Sequence, residues 1–137
     1  VRGKRINKIN ENIINWVEAT LTGPMTVEPL GKGVFNYQCH SNCVAEALED
    51  SDNTEIIQVI CKQSSHVYLH YIIFRGGKYL DPSIGWLVNH TRYFYLKTLG
   101  KDDWESIHHD FEQSQDHYFH KFTNWFDRNF LKIDRVL

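Results

Sequence analysis

Three residues of this chain have the types and the order that nucleophilic acyl chemistry needs. The stretch FNYQCHSNCVAEALED presents a thiol, Cys39, where a helix is expected to begin; SSHVYLHYIIFRGGKYLDPSIGW then supplies an imidazole, His70, on an expected strand and a carboxylate, Asp81, at the end of the next one. A cysteine attacks a carbonyl well only as thiolate, and an adjacent histidine held by a third group makes thiolate available at neutral pH. At the first turn of a helix the free backbone N–H groups and the positive end of the macrodipole favour thiolate as well. Those N–H groups are also suited to hold the oxyanion that forms after attack, with Gln38 and Asn42 as nearby amide donors. Amides at a helix start are more commonly capping or turn residues, which is the plainer role for both.

The elements that must position these groups follow from the spacing of apolar residues. Ile6, Ile9, Ile13, Trp16 or Val17 and Leu21 step by three and four, which predicts an amphipathic helix over about 4–21, ended by Thr22-Gly23-Pro24. Residues 25–38 carry Pro29, Gly31 and Gly33 and read as a loop with one short extended piece near 25–28. Helix formers follow Cys39 to about Asp50, with apolar steps at Cys43, Ala47 and Leu48. Strands are expected at 56–61, 66–74, 78–82 and 91–99, and Arg75-Gly76-Gly77-Lys78 is a hairpin signal. Alternation along the second strand puts His66, Tyr68, His70, Ile72 and Phe74 on one face, and a tight turn at Gly76-Gly77 brings His70 and Asp81 level on adjacent antiparallel strands. From Asp102 to about residue 131 aromatic residues recur at helical steps, with Asp102 or Asp103 as the cap.

These residues resemble the papain-like cysteine enzymes, in particular the compact transglutaminase-like and NlpC/P60-like branches. HYIIFRGGKYLDP, from His70 to Pro82, is similar to the transglutaminase-like pattern of histidine, short apolar strand, glycine turn and DP step; CHSN with its downstream DPS also resembles small bacterial and phage proteins with a CHxN motif. The resemblance spans about residues 36–86, outside the first helix and the aromatic tail. It implies a thiol-bearing helix packed on an antiparallel sheet and a Cys39-His70-Asp81 triad. The chain departs from the family in placing His40 directly after the thiol and Tyr71 after the histidine. Cys43, one turn on, competes for the nucleophile role, as in family members where the second cysteine of a CxxxC pair is catalytic; Val44-Ala45-Glu46-Ala47 reads as helix interior and places it past the anion-binding end.

Composition bounds the rest. With 137 residues, 42% apolar and 14% aromatic, the chain is expected to fold as one domain over 1–137, its core at about 36–99. The fold class is α+β, a central helix against three to five antiparallel strands with flanking helices at about 4–21 and 102–131. A net charge of −2 gives no footprint for nucleic acid or an anionic membrane. Three cysteines without framework spacing fit free thiols in a reducing, cytoplasmic setting, and Cys43 and Cys61 read most simply as small buried residues. No apolar run spans a bilayer; the opening VRGKRIN is not a signal core, and its lack of methionine fits a removed leader or a trimmed start. In the tail, His108, His109, Asp110, Asp116, His117 and His120 offer metal donors, but the pattern fixes no third ligand beside His117 and His120, so no metal site is assigned.

The expected activity is cysteine-dependent acyl transfer, as peptidase, amidase, deamidase or amine transferase, on a protein, a peptide or a small amide. No metal or organic cofactor is required for it. The alternative is a non-catalytic interaction module, such as a phage or bacterial host-interference protein, using the same fold and its aromatic helices to bind another protein.

Overall fold

The computed structural model describes residues 1–137. Helix α1 (Arg2–Thr20) buries Ile9, Ile13 and Val17, the stripe that the three- and four-residue steps pick out. It rests on Ile60, Val67, Leu69 and Phe94 of the sheet. The chain then turns extended at Leu21 and enters β1 (Thr22–Met25) and β2 (Val27–Pro29). Helix α2 (Cys39–Glu49) follows, then β3 (Thr54–Gln63), β4 (His66–Arg75), β5 (Lys78–Asp81), a 3-10 turn over Gly85–His90 and β6 (Arg92–Leu99). Helices α3 (Ile107–Phe122) and α4 (Trp125–Asn129) complete the order.

The α+β class agrees with the sequence, but the sheet is larger than three to five strands and is mixed. Its six strands run β1-β6-β3-β4-β5-β2, with β2 parallel to β5 and the other pairs antiparallel. Only Thr26 separates β1 from β2, yet the two border opposite edges. The sheet therefore curls until one extended segment, 22–29, lies along both its edges. Gly23, Pro24 and Pro29 hide this segment from a propensity reading, because proline is tolerated on an edge whose N–H groups need no partner.

Alternation sorts the strands into two apolar layers. Ile57, Val59, Cys61, Ile72, Val88 and Tyr93 pack inside the curl. On the other face Ile56, Tyr71, Ile73 and Leu99 meet Cys43 and Ala47 of α2 together with Trp104 and Ile107. Leu48, expected on the buried stripe of α2, is exposed because it lies a residue beyond Ala47, past the sheet-facing side. A buried polar strut ties α3 to the sheet: Gln58 Nε2 donates to Ser114 Oγ (2.8 Å) and to Tyr71 Oη (3.1 Å), and Tyr71 Oη donates to Asp110 Oδ2 (2.6 Å).

The tail is less helical than its aromatic spacing suggests. Asp102 and Asp103 sit in a 3-10 turn (Lys101–Asp103) and cap no helix; α3 starts after Ser106, whose side chain makes no capping bond. The capped helix is α4, where Asn124 Oδ1 accepts from Asp127 N–H and Asp127 Oδ2 accepts from Asn124 N–H, both at 2.9 Å. Asp127 also takes both arms of Arg5 at 2.7 and 2.8 Å, joining α4 to α1. Residues 130–137 leave the helix, and Ile133 and Leu137 return to the core beside α1.

Candidate active site

Strand β4 is paired along its whole length with β3 but meets β5 only from Ile73 to Arg75. Its other half, from His66 to Ile72, is an unpaired edge on that side, and α2 places its first residue there. Burial alone would push the Cys39 thiol up. Hydrogen bonding with His40 and His70, the charge of His70 and the backbone N–H of Tyr71 outweigh it and bring the thiol from 9.0 down to about 6. Sulfur thus uses the gap in the β4–β5 ladder, accepting a strand N–H that a neighbouring strand would otherwise take.

Asp81 is fully buried and wholly committed. Its Oδ2 lies 2.7 Å from His70 Nε2 and accepts from Tyr93 Oη at 2.6 Å, while Oδ1 accepts from Ser83 N–H at 2.8 Å. Burial acts to raise the carboxyl; His70, Tyr93 and Ser83 reverse this and hold it below the usual carboxylate range. The pairing of Ile73 with Leu80 sets Asp81 beside Ile72, so His70 is its diagonal rather than its level partner. Diagonal neighbours on one face remain within reach of longer side chains, and the imidazole spans the offset.

His70 is nearly sealed from solvent, and burial alone would keep it neutral. Its hydrogen bonds with Asp81 and Cys39, and their charges, raise it instead from 6.5 to about 10. With Nε2 on the carboxylate, Nδ1 is the ring atom left for sulfur. Since the thiol titrates below the imidazole, their shared proton resides on His70, and a thiolate–imidazolium pair exists from about pH 6 to about pH 10.

The loop before the thiol is stitched to the loop after the acid. Leu30 N–H donates to the Asp81 carbonyl at 2.9 Å, and Val34 and Phe35 N–H both donate to the Ser83 carbonyl at 3.0 Å. Gly33 and Gly85 have positive φ (81° and 52°) and touch so closely that a Cβ on either would strike the other loop's backbone. Asn42 belongs to the same stitching. Its Nδ2 donates to Asn36 Oδ1 (3.0 Å) and to Ser83 Oγ (3.1 Å), which leaves this amide engaged rather than free for an oxyanion. Gln38 is the exposed N-terminal flanking residue of α2 and makes no side-chain cap bond. The N–H groups of the first helical turn consequently remain open to a ligand.

Cys43 and Cys61 are fully buried, and burial pushes both thiols well up. Neither is a nucleophile at neutral pH. Cys39, His40 and His70 instead line a cleft of about 830 Å³ shared with Phe35, Tyr37 and Tyr68. Of the tail histidines, His108 Nδ1 lies 3.0 Å from His40 Nε2 and His120 pairs with Asp116 on its own helix, and no group of three or more His, Cys, Asp or Glu stands close enough to hold a metal ion. Tyr93 and Ser83 complete the site without having been visible in the sequence as functional. Ser83 had a signal in DPS; Tyr93 had none, because its partner is twelve residues away and on another strand. A scan against protein-family models and searches of curated proteins and of solved structures give no match.

Proposed function

We propose that the protein is a cysteine-dependent acyl-transfer enzyme of papain-like type, with Cys39 as nucleophile, His70 as proton carrier and Asp81 as the group that orients His70. The observation that carries this reading is the depressed thiol of Cys39 beside a buried histidine whose other nitrogen is 2.7 Å from a fully buried carboxylate. The thiolate attacks an acyl carbon, and the resulting oxyanion is met by the free N–H groups that open α2. The His70 Nδ1 proton passes to the leaving amine or alkoxide, leaving a thioester on Cys39 and a neutral ring. Water or an amine then attacks the thioester while giving its proton back to Nδ1, which restores the ion pair. Substrates of this chemistry are peptides, protein amides and small carboxamides.

The test combines alkylation and acylation. Haloacetamide should modify Cys39 with a rate that rises through about pH 6, and His70→Ala should move that midpoint toward 9. An activated ester such as p-nitrophenyl acetate should leave one acetyl group on Cys39 and release nitrophenol in a burst. Slow, uniform alkylation of all three thiols with no acetyl adduct would overturn the proposal. It would favour an interaction module, for which the surface aromatics of α4 and its C-terminal flank speak: Trp125 and Phe130 are both 69% exposed, and Phe126 and Phe130 stack at 4.7 Å.

A further inference from the structure

The net charge of −2 conceals an uneven distribution. Residues 1–8 and 124–137 hold seven basic and two acidic side chains, a balance of +5, whereas residues 9–123 hold eight basic and fifteen acidic ones, a balance of −7. The fold brings the two basic segments to one end of the molecule. Arg2 Nε donates to the Leu131 carbonyl at 3.1 Å, Arg5 clasps Asp127, and Ile133 packs with Ile9 and Ile13 of α1. Asp127 is buried and neutralised by Arg5, so Asp134 is the one carboxylate left among the other cations of these segments. The same end carries bare rings. With α4 pinned through Asp127, Trp125 and Phe130 are each left 69% exposed and Phe126 45%. Phe126 and Phe130 stack at 4.7 Å into one contiguous apolar surface, and Ile6, next to Arg5 on α1, is exposed as well. Contiguous apolar surface on a folded chain marks a site of interaction.

We propose that this end of the molecule docks on an anionic lipid surface, its rings set at the headgroup boundary and its Lys and Arg side chains among the anionic headgroups. The proposal is independent of the chemistry at Cys39. Rings and cations are interleaved here: Arg128 lies between Phe126 and Phe130, Lys132 follows two residues later, and Arg2 reaches the carbonyl of Leu131 beside Phe130. A protein-binding patch is instead depleted of charge at its core. A single-stranded nucleic acid needs ring faces free for successive bases, and Phe126 and Phe130 turn a face on each other. A bilayer surface accepts the mixture, because aromatic rings enter the headgroup boundary while long basic side chains lie along it and keep their charge in the polar layer. The acidic remainder of the chain is repelled by the same surface, which turns the molecule basic end down.

The experiment is co-sedimentation of the whole chain with vesicles of phosphatidylcholine alone or with about 30% phosphatidylserine. The apparent Kd should be at least about tenfold lower on the anionic vesicles, and raising salt from about 0.1 M to about 0.5 M should abolish that advantage. Lys4→Glu with Lys132→Glu should weaken binding by about tenfold or more. Lys78→Glu with Lys101→Glu changes the net charge equally but outside the patch, and should weaken it far less. Tryptophan emission should shift to the blue on binding, and Trp125→Phe should remove that shift while the chain still sediments. Equal binding to both vesicle types, binding to neither, or equal loss from the two double reversals would overturn the proposal. So would displacement from the vesicles by an equal charge of oligo(dT) or polyglutamate, which would reassign the patch to a nucleic acid or an acidic protein.

Discussion

At the scale of single residues, the site depends on how two buried groups, His70 and Asp81, and the half-buried Cys39 thiol divide one positive and two negative charges. Asp81→Asn removes the carboxylate that holds the His70 proton, so the imidazole should titrate lower and the thiol higher. Turnover of any acyl substrate should fall by about a hundredfold or more, with the acid limb of its pH profile moving up from about 6. Steady-state rates across pH check both parts, and an unmoved limb would mean that Asp81 does not act through His70. Tyr93→Phe is a milder probe of the same carboxylate. It deletes one hydrogen bond at 2.6 Å while Ser83 N–H and His70 remain, so the cost should be about 1 kcal/mol in denaturant unfolding, with alkylation midpoints shifted less than in Asp81→Asn. A Tyr93→Phe effect as large as that of Asp81→Asn would give the phenol a role beyond holding the acid.

Among the elements, the geometry rests on the contact between two loops, and this is where legibility in the sequence changes. Cys39 at a helix start, His70 on an apolar strand and Asp81 beyond a glycine turn were all readable, because each follows from local rules: capping, alternation and hairpin chemistry. The elements α1, α2 and β3 to β6 were readable for the same reason. What brings Cys39 to His70 was not. It is the gap where β5 leaves β4, and the stitching of residues 30–36 to 81–85, both set by long-range pairing that no short window contains. The closing of the curl by 22–29 was hidden likewise, since its prolines and glycine argue against strand while the edges it borders argue for it. Gly85→Ala tests the stitching directly. A Cβ there meets the Lys32 carbonyl, and φ of 52° disfavours it in any case, so the substitution should cost about 1–3 kcal/mol and reduce Cys39 alkylation at neutral pH toward that of an ordinary thiol. Retained alkylation in a destabilised chain would show that α2 is aligned without the loop. Away from the site, Asp127→Ala should cost about 2–3 kcal/mol by deleting the half of the α4 capping box that Asn124 N–H donates to and the partner of Arg5, while Asn124 Oδ1 still caps the residue 127 N–H, with the alkylation profile unchanged.

For the whole molecule, the charge pair at the site leaves a signature in stability against pH. In the unfolded chain the thiol titrates at 9.0 and the imidazole at 6.5; in the folded chain the thiol titrates at about 6 and the imidazole at about 10. Between 6.5 and 9 both states hold one proton on the pair, on sulfur when unfolded and on the ring when folded. Stability rises with pH only where the unfolded state binds more protons, so the pair contributes no slope across this window. Above 9 the unfolded thiol loses its proton while folded His70 keeps its own until about 10, and stability falls. Below 6.5 the unfolded chain takes a second proton before folded Cys39 does at about 6, and stability falls on that side too. The lowered carboxyls of Asp81 and Asp127 contribute stability that is present above 3.8 and lost as pH drops through their folded values. Cys39→Ser removes the thiol but leaves His70 against Asp81, with a raised folded value. Folded protein then binds the extra proton from 6.5 upward, and its stability should decline with rising pH by at most about 1.4 kcal/mol per pH unit, where the native chain is flat. Guanidinium unfolding of both chains at intervals from pH 6 to pH 9 decides the matter, because parallel curves would mean that folding does not move the thiol proton onto His70, and diverging ones that it does.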